Sequence, residues 1–207
     1  MPPALAHRRV LIAALVSSLA FGSLVVIALT PAFHGLDRGL KLAIDGSRHP
    51  LLEVTMRTVT FLGDGSMLLV FTLATWLALR RAGDRLAGRV LPIMLGSAAV
   101  EWLLKWLVAR RRPRGGPFAF PSGHVFTSVV FFGLVIYLLW TRDVPRPWRV
   151  AGTTVCAALI VGIALSRIYL RFHWLTDILG GLCGGAAYVL IALAIADRPS
   201  RDSEHSA

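Results

Sequence analysis

The amino-acid sequence predicts an all-α, polytopic membrane protein with six transmembrane helices, and three observations lead there. Of 207 residues, 56% are hydrophobic and 16% charged, with a mean hydropathy of +0.67, outside the range of ordinary soluble domains. Six apolar runs approach the ~20 residues that cross a bilayer. The charge is also unevenly placed: 22 Lys and Arg stand against 11 Asp and Glu, and most of these cations lie between the apolar runs. A net charge of +11 would also suit a nucleic-acid binder, but cations flanking apolar spans are membrane anchors, so the expected partner is the lipid bilayer and no nucleic acid. There is no low-complexity repeat, and the two cysteines, Cys156 and Cys183, lie inside apolar stretches. Collagen, disordered and disulfide-scaffold classes are therefore excluded, and both thiols read as small packed hydrophobes.

The first span covers about residues 10–30, after the basic start His7-Arg8-Arg9. It is longer than a signal-peptide core and lacks a small-x-small site before Pro31, so it reads as a retained membrane helix. Residues 32–57 mix Asp37, Arg38, Lys41, Asp45, Arg48, His49 and Glu53 with Leu and Ile, the pattern of an interfacial helix and loop. Further spans are expected at about 59–79, 90–108, 125–140, 150–166 and 175–196, the second interrupted by Gly63-Asp64-Gly65. No linker divides the chain, so residues 1–196 read as one domain and 197–207 as a polar, disordered tail. The last span carries Gly180, Gly181, Gly184 and Gly185, a small-residue face for close helix packing in lipid. Trp102, Trp106, Trp140, Trp148 and Trp174 lie near span ends, as in an aromatic belt.

Polar groups at or within membrane helices are costly, so those present carry the functional question. They form three clusters. The first is Lys105, then six residues, then Arg112-Pro113; the second is Pro121-Ser122-Gly123-His124, directly before the fourth span. A helix starting there offers free N–H groups and a positive dipole end to an anion, and Gly123 lets that anion approach the backbone; Ser122 could equally serve as an N-cap. The third is Ser166-Arg167, five residues, His173, three residues, Asp177. With a helix starting near His173, the two would share a face one turn apart, and the carboxylate would orient the imidazole. Alternating spans bring all three clusters to the same side of the membrane.

These motifs resemble the three signatures of the type 2 phosphatidic acid phosphatase (PAP2) superfamily, whose membrane members include phosphatidylglycerophosphate and undecaprenyl pyrophosphate phosphatases. The resemblance spans Lys105 to Asp177 with no departure at a motif position. It implies a PAP2/acid-phosphatase-like helical bundle, with His173 attacking phosphorus, Asp177 orienting it and His124 protonating the leaving group. Lys105, Arg112 and Arg167, with Ser122 and the Gly123 N–H, would hold the phosphoryl oxygens. The residue chemistry agrees, because phosphoryl transfer needs positioned positive charge, and this cluster supplies it without a metal or other cofactor.

A metal hydrolase built on His124, His173 and Asp177 is opposed by the surrounding cations. A transporter or receptor for lipid head groups would need no oriented nucleophile. Phosphotransfer to another acceptor uses the same chemistry and stays open. The lipid substrate and the oligomeric state are not legible in these motifs. Glu101, one turn before Lys105, reads as its ion-pair partner, and Asp64 as a turn former. With the termini inside, eleven of the 22 Lys and Arg fall on each side; setting aside Lys105, Arg112 and Arg167 leaves eleven against eight. The positive-inside rule then places the termini in the cytoplasm and the site toward the periplasm or cell exterior.

Overall fold

The computed structural model describes residues 3–46 and 48–196, and every regular element among them is helical. The expected disordered tail, 197–207, lies outside the described residues. In chain order the elements are α1 (Pro3–Leu29), a short 3₁₀ turn (Pro31–Phe33), α2 (Gly35–Gly46), α3 (Pro50–Phe61), α4 (Gly65–Arg81), α5 (Ala87–Val108), α6 (Gly123–Thr141), α7 (Arg146–Tyr169) and α8 (Leu175–Ala196). Five are long and apolar enough to cross a membrane individually: α1, from Arg8 onward, and α5 to α8. The sixth span is a pair, α3 and α4, bent by 42°.

The second span thus differs from its sequence-based outline. The chain is already helical from Pro50, and Gly63-Asp64-Gly65 is a break between two helices. Local chemistry explains it. Pro50 sits at the start of α3, where its missing N–H costs nothing, and Asp64 caps α4 by accepting from the Ser66 N–H at 3.0 Å. The mixed segment yields one surface helix, α2, which lies across the site-side end of the bundle. Its Asp37 reaches the start of α8, and its Asp45 accepts from Arg171 at 3.1 Å.

At the centre stand α6 and α8. Val125, Phe126, Val130 and Leu134 of α6 are fully or almost fully buried, and Val130 and Leu134 pack with Val90 of α5 and Val189 and Leu193 of α8. Lipid tails are as apolar as leucine, so helices associate in a membrane through close packing and polar contacts. The glycine face of α8 provides the first. A Cβ at Gly181 would lie 2.9 Å from the Ser122 carbonyl oxygen and 3.0 Å from the Val125 Cβ; at Gly185 it would lie 2.7 Å from the Phe126 carbonyl. Two turns of α8 therefore touch the backbone at the start of α6, while α1 packs along the same helix through Phe21. Cys156 lies in an apolar cluster with Leu68 and Phe131, and both cysteines are free thiols.

Gly181→Val should force α8 away from α6, at an overpacking cost of roughly 1–3 kcal/mol. A lowered melting temperature of the detergent-purified protein is the expected result, with Cys183→Ala, on the same helix but only partly buried, as a milder control.

Candidate active site

All eight residues singled out in the three clusters come to one end of the bundle. Lys105 lies in the last turn of α5, Arg112 in the α5–α6 loop, Ser122 immediately before α6, and Gly123 and His124 at its first two positions. Arg167 ends α7, His173 stands in the α7–α8 turn and Asp177 in the first turn of α8. His124 is within electrostatic reach of Arg167, His173 and Lys105, as Arg167 is of Arg112.

Gly123 has a structural reason to be glycine. A Cβ there would overlap the Glu101 carboxylate and come within 3.0 Å of Lys105 Nζ. Its absence lets the Glu101–Lys105 ion pair rest against the start of α6, so an ammonium group and a helix N-terminus face the same space. Glu101 pairs with Lys105 as its spacing suggests. Ser122 occupies the N-cap position but its hydroxyl makes no capping bond; the buried Oγ has no protein partner. The same holds for the buried Nε atoms of Arg112 and Arg167. Buried donors are nearly always satisfied in folded proteins, so three unsatisfied ones on the three motifs mark where a ligand's oxygens fit. Arg167 is held from other directions: its Nη1 donates to Thr60 Oγ1 at 3.0 Å, and its guanidinium stacks on Phe172 at 4.2 Å. Arg114 stacks on the same ring at 4.9 Å.

His173 is only 3% exposed, and its Nδ1 lies 2.8 Å from the Ala119 carbonyl oxygen. A carbonyl can only accept, so Nδ1 carries the proton and Nε2 keeps its lone pair. Burial holds the imidazole below its ordinary pKa, with the Asp177 carboxylate opposing that shift. The ring is thereby kept neutral, as a nucleophile requires.

Asp177, expected to orient His173, stands beside it with several partners. Its Oδ2 lies 3.6 Å from His173 Nδ1, beyond hydrogen-bond range. α8 begins at Leu175, after His173, and both carboxylate oxygens also have other partners. Oδ2 reaches back to accept from the Trp174 N–H at 2.8 Å, in the manner of a capping box, and Oδ1 accepts from Arg110 Nη1 at 2.7 Å. The other nitrogen of Arg110, Nη2, donates to Asp37 Oδ2 at 2.7 Å. Asp37 in turn accepts from the Thr176 N–H at 3.0 Å and the Thr176 hydroxyl at 2.7 Å. Asp37, Arg110 and Asp177 are 2%, 9% and 0% exposed, so this is a buried network. Arg110 also reaches His173 indirectly, because its carbonyl accepts from the Ala119 N–H at 2.8 Å, and Ala119 holds His173.

Known proteins share this architecture. A PAP2 superfamily model matches residues 115–201. Phosphatidylglycerophosphatase B of Bacillus subtilis is 30% identical over 172 residues, covering 75% of this chain and 81% of that protein. The chain belongs to the PAP2 superfamily. An Escherichia coli protein provisionally named an undecaprenyl-diphosphatase is 32% identical over 125 residues, 53% of this chain and 59% of that one. The crystal structure of a transmembrane PAP2-type phosphatidylglycerolphosphate phosphatase from Bacillus subtilis superposes with a TM-score of 0.80 at 23% identity, over 91% of this chain and 98% of that one. The fold is therefore that of a membrane PAP2 phosphatase.

In this PAP2 protein, Asp37 and Arg110 are the site-supporting residues that the sequence alone did not single out. Arg110 is one of four arginines between positions 110 and 114, and Asp37 is one charge among many in α2. The available signal was that an acidic residue in an amphipathic helix stood on its apolar side. Arg110→Met leaves two buried carboxylates without a counter-ion, which costs roughly 3–5 kcal/mol. Thermal unfolding in detergent should show that loss, and it should shrink in the triple variant Asp37→Leu, Arg110→Met, Asp177→Leu, which removes the charges together.

Proposed function

We propose that this protein hydrolyses the phosphomonoester or pyrophosphate of a membrane lipid through a phosphohistidine intermediate, without a metal. Phosphatidylglycerophosphate, undecaprenyl pyrophosphate and phosphatidate are the candidate substrates. The observation that carries the reading is the pairing of a neutral, Nδ1-protonated His173 with three buried donors that lack protein partners, on Ser122, Arg112 and Arg167. In this reading His173 Nε2 attacks phosphorus while Lys105, Arg112, Arg167, Ser122 and the Gly123 N–H hold the phosphoryl oxygens. His124 gives a proton to the departing oxygen and later takes one from the water that cleaves the phosphohistidine. Asp177 steadies the turn that carries His173.

The hydrocarbon part of the substrate has a path in lipid. A groove of about 250 Å³ runs between α4 and α5, lined by Leu68, Leu69, Leu91, Leu95, Ala98 and Thr127. Thr127 lies one turn below Gly123, whose carbonyl its hydroxyl bonds at 2.7 Å, so the groove ends beside the site. The charge distribution supports an outward-facing site with cytoplasmic termini.

His173→Ala should abolish both phosphate release and acid-labile phosphoenzyme. His124→Ala should slow lipid turnover by about 10²–10⁴-fold, the usual contribution of a general acid, yet still accumulate phosphoenzyme from p-nitrophenyl phosphate. Turnover by the wild-type protein should persist in EDTA. Robust activity in purified His173→Ala, or loss in EDTA with recovery on adding zinc or magnesium, would contradict the mechanism.

Orientation is tested with single cysteines in a background lacking Cys156 and Cys183. A cysteine at Gly116 should react with a membrane-impermeant thiol reagent in intact cells or spheroplasts, and one at Gly83 only after lysis. The reverse labelling pattern would put the site in the cytoplasm.

A further inference from the structure

The carboxylates around the site differ in what they face. Glu101 pairs with Lys105, and Asp37 and Asp177 share Arg110. Asp64 faces an imidazole instead: its Oδ2 lies 3.8 Å from His124 Nε2. Its Oδ1 is the atom that caps α4, accepting from the Ser66 N–H at 3.0 Å and the Ser66 hydroxyl at 2.7 Å. One oxygen therefore serves the helix, and the other is turned to the site.

The break that carries Asp64 is held firmly. A Cβ at Gly63 would lie 2.7 Å from Ile163 Cγ2 and 3.1 Å from Ser128 Oγ, so the backbone sits directly on α7 and α6. One turn earlier, Thr60 accepts from Arg167. The groups within electrostatic reach of His124 are Asp64 from the α3–α4 break, Lys105 from α5, Arg167 from α7 and His173 from the α7–α8 turn. Among them Asp64 alone is a carboxylate. A general acid must hold its proton beside those cations until the leaving oxygen needs it, and an adjacent anion favours the protonated form.

We infer that Asp64 is a positioning residue for His124: it holds the ring through Nε2–H and leaves Nδ1–H to serve the leaving oxygen. This rests on the phosphatase reading above. As the His173 Nε2–P bond forms and the P–O bond to the leaving group breaks, the Nδ1 proton passes to that oxygen. In the second half, water attacks phosphorus, its proton goes to His124 Nδ1, and the N–P electron pair returns to His173. The Nε2–H stays on Asp64 throughout. The 3.8 Å separation closes by a small ring rotation, as catalytic hydrogen bonds commonly do when substrate binds.

The test separates this role from the cap, because Asn caps a helix as well as Asp but carries no charge. The full-length protein is purified as wild type, Asp64→Asn and Asp64→Glu. Rates of phosphoenzyme formation are measured in single turnover with phosphatidate in mixed micelles, whose alkoxide must be protonated to leave. They are compared with the nitrophenolate burst from p-nitrophenyl phosphate, whose leaving group departs unprotonated. Asp64→Asn should lose about tenfold or more on phosphatidate, a fraction of a general acid's usual contribution, and far less on the nitrophenyl ester. Its melting temperature should match wild type, and Asp64→Glu should recover part of the lipid rate. Equal losses on both substrates, no loss on either, or a rise in KM alone would overturn the assignment; the last would mean that Asp64 contacts the head group. A wild-type protein inactive on p-nitrophenyl phosphate and on phosphatidate, phosphatidylglycerophosphate and undecaprenyl pyrophosphate alike would instead overturn the phosphatase reading and this inference with it; a wild type active on any of these lipids, used in place of phosphatidate where needed, keeps the two failures apart.

Discussion

A single guanidinium shared by two carboxylates ties the site end of the bundle together. Arg110 joins Asp37 of α2 to Asp177 of α8, and all three are withdrawn from water. Charges in such a place are tolerable only when each has a partner and the remaining hydrogen-bonding capacity is used. Here the Thr176 N–H and hydroxyl and the Trp174 N–H complete the set. Once that network is in place, the first turn of α8, the end of the α7–α8 turn and the loop after α5 have little freedom. The His173 imidazole inherits its orientation from that loop, through the Ala119 carbonyl.

The same constraint explains how the remaining charges are arranged. Lys105 would be expensive beside the membrane without Glu101, and Gly123 makes room for the pair. Arg112 and Arg167 are different. Their buried Nε atoms lack protein partners, and Arg167 is held by a threonine and an aromatic ring, neither of which neutralises it. Positive charge is thus compensated at Lys105 and Arg110 and left uncompensated at Arg112 and Arg167. That division supports the proposed phosphoryl-binding role over a basic anchor more than the number of arginines does.

Much of this was legible in the sequence because polar residues stand out in an apolar chain. The spans follow from runs of hydrophobic residues, and the three clusters follow from Lys105, Ser122, His124, Arg167 and His173 standing at their ends. What escaped was pairing across the fold. Asp37 and Arg110 are 73 positions apart, and neither spacing nor composition relates them. The His173 and Asp177 spacing suggested a shared helical face; α8 starts at Leu175, so the imidazole stands just outside the helix, 3.6 Å from the carboxylate, and its Nδ1 finds a main-chain acceptor at Ala119. The Gly63-Asp64-Gly65 triplet signalled an interruption, while its contact with His124 depends on α4 and α6 starting at the same level. Local chemistry was readable, and the partners supplied by tertiary structure were not.

The 42° break between α3 and α4 has a further consequence. A non-helical step at membrane depth is tolerated only where protein or water covers its backbone. Here one side packs on α7, and the other presents a half-exposed Asp64 to solvent. Across the site, the α4–α5 groove is walled largely by leucine. In the proposed reaction the two reactants of a lipid hydrolysis, one insoluble in water and the other excluded from hydrocarbon, would reach the phosphorus from different phases. The proposed catalysis would then take place on a boundary that the protein builds from a broken helix on its wet side and an apolar cleft on its oily one.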